Sequence, residues 1–179
     1  AEDDNGHGTH VSGIITSAGV SSSVGVARNT RIHAIKVLDS SNGFSSSSII
    51  IEALDHIINN LPQVNLVNMS LGTYDRFESF CDDQYVYTRA FANVINTLRE
   101  RGTLSFVASM NNASSNSISA PACVANAISV GAVWDTDPYS YNGECFESNP
   151  IPDEMACFSN SSVALDILAP GSPIRAARM

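Results

Sequence analysis

Positive charge is scarce in this 179-residue sequence: nine lysines and arginines stand against eighteen aspartates and glutamates, for a formal net charge of -9. A surface with that balance repels phosphate backbones, which excludes nucleic acid as a partner. Long apolar runs are missing too. The 44% hydrophobic content is spread over short stretches, none near the roughly 20 residues that cross a bilayer as a helix, so no membrane partner is expected. There is no Gly-x-Gly-x-x-Gly after a strand-like run and no Gly-Lys-Ser/Thr loop, which removes the nucleotide-binding α/β domains. Cysteine is limited to Cys81, Cys123, Cys145 and Cys157. No two of them form a Cys-x-x-Cys pair, which argues against zinc. In an extracellular setting an even set suggests two disulfides, with three connectivities open. The preferred one joins Cys81 to Cys123 and Cys145 to Cys157, the second closing the Gly-, Pro-, Asn- and acid-rich loop 142–156. Four reduced, partly buried thiols in a cytosolic protein are the other reading.

Apolar residues Ile50, Ala53, Leu54, Ile57, Ile58 and Leu61 recur at the spacing of one helix face. The serine run 45–48 can cap that helix and Pro62 stops it. A second face runs through Tyr87, Phe91, Val94, Ile95 and Leu98, with Arg99 and Arg101 in the last turn and Gly102 after it, as a helix C-terminus favours. A third helix is expected to start near His7 and to bury Val11, Ile14 and Ile15. Apolar runs of strand length occupy 32–38, 66–69, 104–108, 127–133 and 165–168. Strands alternating with helices need parallel crossovers and a sheet covered on both faces. The expected class is therefore α/β, doubly wound.

The run Asp4-Asn5-Gly6-His7-Gly8-Thr9-His10-Val11-Ser12-Gly13 resembles the catalytic-histidine segment of the subtilisin-like serine proteases, the subtilases or peptidase S8 family. The likeness continues in order through Gly25-Val26-Ala27, Lys36-Val37-Leu38, Asn68-Met69-Ser70-Leu71-Gly72, the Asn111 region, Ile128-Ser129-Val130-Gly131-Ala132-Val133, Cys157-Phe158-Ser159-Asn160 and Leu165-Asp166-Ile167-Leu168-Ala169-Pro170-Gly171. It covers nearly the whole chain. No Gly-Thr-Ser-Met-Ala-type nucleophile segment occurs, and no strand ending in a catalytic Asp precedes His7. The resemblance thus implies a three-layer α/β/α fold with a mostly parallel central sheet, incomplete at both ends. Residues 1–179 would be a partial peptidase domain, from the histidine segment to just before the nucleophile. Cut ends of a parallel sheet expose apolar surface and strand edges, so association with the missing segments or with a second copy is expected.

Serine-protease chemistry needs a base for the nucleophile's proton, an acid that orients the base, and donors aimed at the oxyanion. By resemblance His7 is the base and Asn111 the side-chain oxyanion donor. A solitary histidine is more often structural, and His7 gains its role only from the pattern around it. His10 reads as a packing or hydrogen-bonding residue. As a metal pair, His7 and His10 have the wrong spacing and lack the glutamate of a zincin, so no metal and no cofactor are expected. At Asn111 the match is imperfect: Met110 stands where the family usually has Gly, and Asn112 offers a register one residue along. Both could simply make a turn after a strand.

The family grips substrate by backbone pairing, with the peptide lying as an added strand. The resemblance assigns this to Ser70, Leu71 and Gly72 on one side and to Asn42, Gly43 and Phe44 on the other. Gly72 is expected to leave room for a substrate side chain, and Leu71 with Ile49 to wall an apolar pocket. Asn42-Gly43 is equally an ordinary tight turn. Asp3 and Asp4 lie too close to His7 to serve as the orienting acid. Asp166 has a structural place, and Ser172, followed by Pro173, lacks the helix entry a nucleophile needs. Loop 17–24 has no carboxylate or amide for a calcium ion.

Two readings follow. The first is a secreted serine endopeptidase acting on polypeptides, of which this chain is the central portion and on its own inactive for want of Ser and Asp. The second is a non-catalytic subtilase-fold module that keeps the peptide groove, which the missing nucleophile and Met110 favour.

Overall fold

A computed structural model describes residues 2–20, 23–136 and 140–177. They form two compact units, one from the described residues of Ala1–Ala53 and Ile174–Met179, the other from Leu54–Pro173.

The larger unit is built on four parallel strands: β1 (Leu66–Met69), β3 (Leu104–Ala108), β5 (Ile128–Trp134) and β8 (Ile167–Ser172), hydrogen-bonded in the order β1-β3-β5-β8. Registers such as Leu66 with Leu104, Phe106 with Ile128 and Val130 with Ile167 are all parallel. This is the parallel arrangement expected for the α/β/α class. β8 replaces the expected strand 165–168 with a later one, because Asp166 clasps the start of β5. Its carboxylate accepts the Ser129 N–H at 2.8 Å, and the Ser129 hydroxyl, itself 2.8 Å from that carboxylate, accepts the Asp166 N–H at 2.8 Å. The chain is still turning there, so the ladder begins one residue on.

The crossover from β1 to β3 contains α3 (Val86–Glu100). Phe91, Ile95 and Leu98 on its apolar face are fully buried, each burial worth about 1.5–3 kcal/mol. At its start the Thr88 hydroxyl accepts the Tyr85 N–H at 3.0 Å. At its end Gly102 (φ 83) takes the left-handed conformation. The Gly102 N–H donates to Arg99 O and the Thr103 N–H to Leu98 O, both at 2.9 Å, so two orphan carbonyls are satisfied as in a Schellman motif.

Two short antiparallel pairs accompany the sheet: β2 (Arg76–Phe77) with β4 (Ile118–Ser119), and β6 (Ser140–Asn142) with β7 (Phe146–Ser148). Each lies beside a disulfide, Cys81–Cys123 and Cys145–Cys157 respectively. Trp134, Ala156 and Phe158 form a buried cluster against which Tyr141 and Cys145 pack. Glu147 ties the hairpin down by accepting the Trp134 ring N–H and the Cys157 N–H, each at 3.1 Å.

The smaller unit carries α1 (His7–Thr16), and α2 (Ser48–Asn60) begins in it. On α2 the spaced apolar residues Ile50, Leu54 and Ile57 are buried as expected. On α1 the expectation is corrected. The buried residue is Gly13, while Ile14 is exposed and Val11 and Ile15 are half-buried. A Cβ at Gly13 would lie 2.8 Å from both the Cβ and N of Ala177, so a backbone approach occupies the face that aliphatic side chains were expected to fill. Residues 32–38 form no strand either, and Ile32 and Ile35 stay exposed. A strand exists only through its ladder, and the described residues of this unit include no strand that could pair with it.

Candidate active site

His7 opens α1, and the turn before it is fixed by one carboxylate. Asp3 Oδ1 accepts the N–H groups of Asn5 at 3.1 Å and Gly6 at 2.9 Å; Oδ2 accepts the Thr9 N–H and the Thr9 hydroxyl, both at 2.7 Å. The Thr9 hydroxyl, followed by the N–H donors, holds the Asp3 carboxyl well below the usual carboxylate range. Gly6 is left-handed at φ 97, and Asn5 adds a bond from the His7 N–H to its Oδ1 at 3.3 Å and one from its amide to Ser40 O at 2.9 Å. His7 is therefore held by its backbone, while its half-buried imidazole makes no hydrogen bond among the described residues. Neither nearby acid serves it: Asp3 caps the helix, and Asp4 pairs with Lys36 at 2.6 Å. His10 continues the helix, its N–H donating to Gly6 O at 3.0 Å.

In the same unit Asn42-Gly43 is a tight turn. Asn42 sits at φ 63, the Asp39 N–H donates to Gly43 O at 2.8 Å, and the Gly43 N–H donates to Asp39 Oδ1 at 3.0 Å. Both backbone groups of Gly43 are thus engaged within the turn. Phe44 is half-buried and Asn42 exposed.

In the larger unit Ser70, Leu71 and Gly72 continue from β1 as a half-buried extended segment. Among the described residues none of their backbone N–H or C=O groups has a hydrogen-bond partner, and pairing resumes only where the Thr73 N–H meets Ala120 O at 2.8 Å. Three residues of unpaired backbone are a template for an added strand. A Cβ at Gly72 would lie 2.7 Å from Met110 Cγ, 2.9 Å from Met110 Sδ and 3.2 Å from Ser119 Cβ. The methionine side chain thus packs against Gly72.

The loop after β3 carries Asn111 and is strapped by a residue whose role the sequence did not disclose. Asn160, fully buried, accepts the N–H groups of Asn112 at 2.8 Å and Ser114 at 3.2 Å through Oδ1, donates to Asn112 Oδ1 at 3.2 Å, and donates its own N–H to Met110 O at 2.9 Å. Met110 and Ala113 sit at φ 80 and 54, and the left-handed region at position 110 is the physical reason a glycine suits it. The two asparagines, Asn111 and Asn112, differ in their surroundings. The Asn112 side chain is engaged inward with Asn160, while Asn111 is exposed and its amide has no partner among the described residues. The only signal for Asn160 in the sequence is its place in Cys157-Phe158-Ser159-Asn160.

Ser172 ends β8 with its carbonyl accepting the Asp135 N–H at 2.7 Å, so it enters no helix. Among the described residues no group of three or more His, Cys, Asp or Glu side chains is placed to hold a metal ion. Within the expected calcium-free loop 17–24, residues 21 and 22 lie outside the described residues.

A family model for the subtilases matches residues 1–178. The chain belongs to the subtilase family. It is 34% identical over 180 residues to the alkaline proteinase of Hapsidospora chrysogena, covering 98% of this chain and 36% of that protein. It is 34% identical over 177 residues to the extracellular serine proteinase of Thermus sp. (strain Rt41A), covering 99% of this chain and 35% of that one. Among solved structures, a cold-adapted subtilisin-like serine proteinase is similar with a TM-score of 0.70 and 27% identity, over 99% of this chain and 53% of that chain. The fold is subtilisin-like, and this subtilase chain spans about a third of the length of these two curated relatives.

Proposed function

We propose that the full-length protein carrying this chain is a serine endopeptidase. His7 takes the proton of a serine hydroxyl supplied from outside these residues as that oxygen attacks the substrate carbonyl, then delivers it to the departing amine. The Asn111 amide donates to the oxygen that becomes negative. Substrate polypeptide lies as an added strand along Ser70, Leu71 and Gly72. The observation that carries the reading is that, among the described residues, an exposed Asn111 amide without a partner accompanies a backbone segment without partners at Gly72, which touches the neighbouring Met110. The two disulfides and the extracellular designation of the Thermus relative support action in an oxidising, extracellular compartment.

The test is covalent labelling of the full-length protein by a fluorophosphonate, followed by kinetics of Asn111→Ala. Labelling with a kcat loss of about 10²–10³ in the variant is the expected result, since one oxyanion donor is worth about 2.7–4 kcal/mol. An unlabelled protein that still binds peptide would refute catalysis and favour the non-catalytic peptide-binding module.

A further inference from the structure

We infer that Met110 makes this enzyme selective for small residues, Gly, Ala or Ser, immediately before the cleaved bond; the inference rests on the proposed peptidase reading. If Asn111 holds the reacting carbonyl and the peptide pairs along Ser70, Leu71 and Gly72, the side chain of the residue bearing that carbonyl points into the space between Gly72 and the loop before Asn111. A glycine at 72 opens that space from one side. The other side is closed by the methionine, whose Cγ and Sδ stand 2.7 and 2.9 Å from where a Cβ on Gly72 would be, with Ser119 Cβ at 3.2 Å completing the wall.

The methionine cannot easily step aside. Its backbone is left-handed at φ 80, a conformation unfavourable for a non-glycine residue that persists only where the surroundings impose it. Here they do. The Ser109 N–H is bound to Val130 O at 2.9 Å, Met110 O accepts the Asn160 N–H at 2.9 Å, and the Asn112 N–H is bound to Asn160 Oδ1 at 2.8 Å. Backbone restraint on both sides directs the Met110 side chain onto Gly72. A large substrate side chain has to displace a packed thioether, whereas a methyl or hydroxymethyl group does not reach it.

The experiment compares kcat/KM of the full-length protein on peptides that differ only in the residue before the cleaved bond, Ala against Leu and Phe. The active-serine concentration is titrated in parallel by fluorophosphonate. Native protein is expected to prefer Ala over Phe by at least about tenfold, the scale at which pocket size discriminates. Met110→Gly, which suits the left-handed backbone, is expected to raise the Phe-to-Ala ratio by about tenfold or more. Labelled native protein that cleaves after Phe as well as after Ala overturns the proposal alone, as does a variant with an unchanged ratio. Protein that takes no label overturns the peptidase reading and the proposal with it.

Discussion

Asn160→Ala removes the residue that straps the Asn111 loop, and its cost follows from the bonds it makes. The substitution deletes one acceptor serving two N–H groups, at 2.8 Å from Asn112 and 3.2 Å from Ser114, and one donor to Asn112 Oδ1 at 3.2 Å. Leaving a buried donor unsatisfied costs about 1–3 kcal/mol, so two such donors bound the effect near about 6 kcal/mol. Asn112 is exposed and Ser114 half-buried, and water recovers part of that loss. The expected destabilisation is about 2–3 kcal/mol. With a urea dependence of about 2 kcal/mol per M, the unfolding midpoint of the full-length protein falls by about 1–1.5 M. Under the proposed mechanism the loop effect has its own readout: a loosened Asn111 is expected to lower kcat, while KM, assigned there to the Ser70 to Gly72 backbone, changes little. A variant with native midpoint and native kcat would show that the loop is held by something other than Asn160, and the reasoning would be wrong.

Two further outcomes are expected. Asp3→Asn weakens the start of α1, and the difference between native and variant midpoints depends on pH with a definite sign. The folded carboxyl titrates below its ordinary value of 3.8, so its stabilisation is complete at neutral pH and is lost progressively as pH falls below about 4 toward the folded value. Urea midpoints at pH 7 and pH 3 should converge; a gap that widens on acidification contradicts the cap. For the disulfides, cross-link entropy rises with the loop closed. Replacing Cys81 and Cys123, 42 residues apart, should cost about 4 kcal/mol, and replacing Cys145 and Cys157, 12 apart, about 3. Calorimetric unfolding of the two double-serine variants checks the order, and the reverse order refutes it.

The helices were legible because their signal is periodic and local. Ile50, Leu54 and Ile57 mark one buried face, and Phe91, Ile95 and Leu98 another, with Gly102 in the conformation that ends it. The hairpin of β6 and β7 was not, since strands of three residues carry too little alternation to register. Gly13 escaped for a different reason: hydropathy is silent about a residue whose use is to have no side chain. Of the candidate residues, His7 and Asn111 came from motif resemblance, which names roles but carries no coordinates. The contact of Met110 with Gly72 joins residues far apart in the chain, and the double duty of Asn160 is expressed only in hydrogen bonds. Residues 32–38 show the converse limit, an apolar run whose conformation depends on a partner rather than on itself.

The bridge between Cys145 and Cys157 also bears on survival among peptidases. The stretch it spans is largely exposed and irregular beyond the short β7, with Phe146, Ser148, Asn149 and Ile151 to Met155 open to solvent, the kind of segment at which proteolytic nicking concentrates. A cut anywhere between the two cysteines leaves both new ends covalently joined. The fragment on each side stays anchored beside Trp134 and Phe158, so a nicked molecule keeps its wall in place and runs as a single species until a reductant separates the pieces.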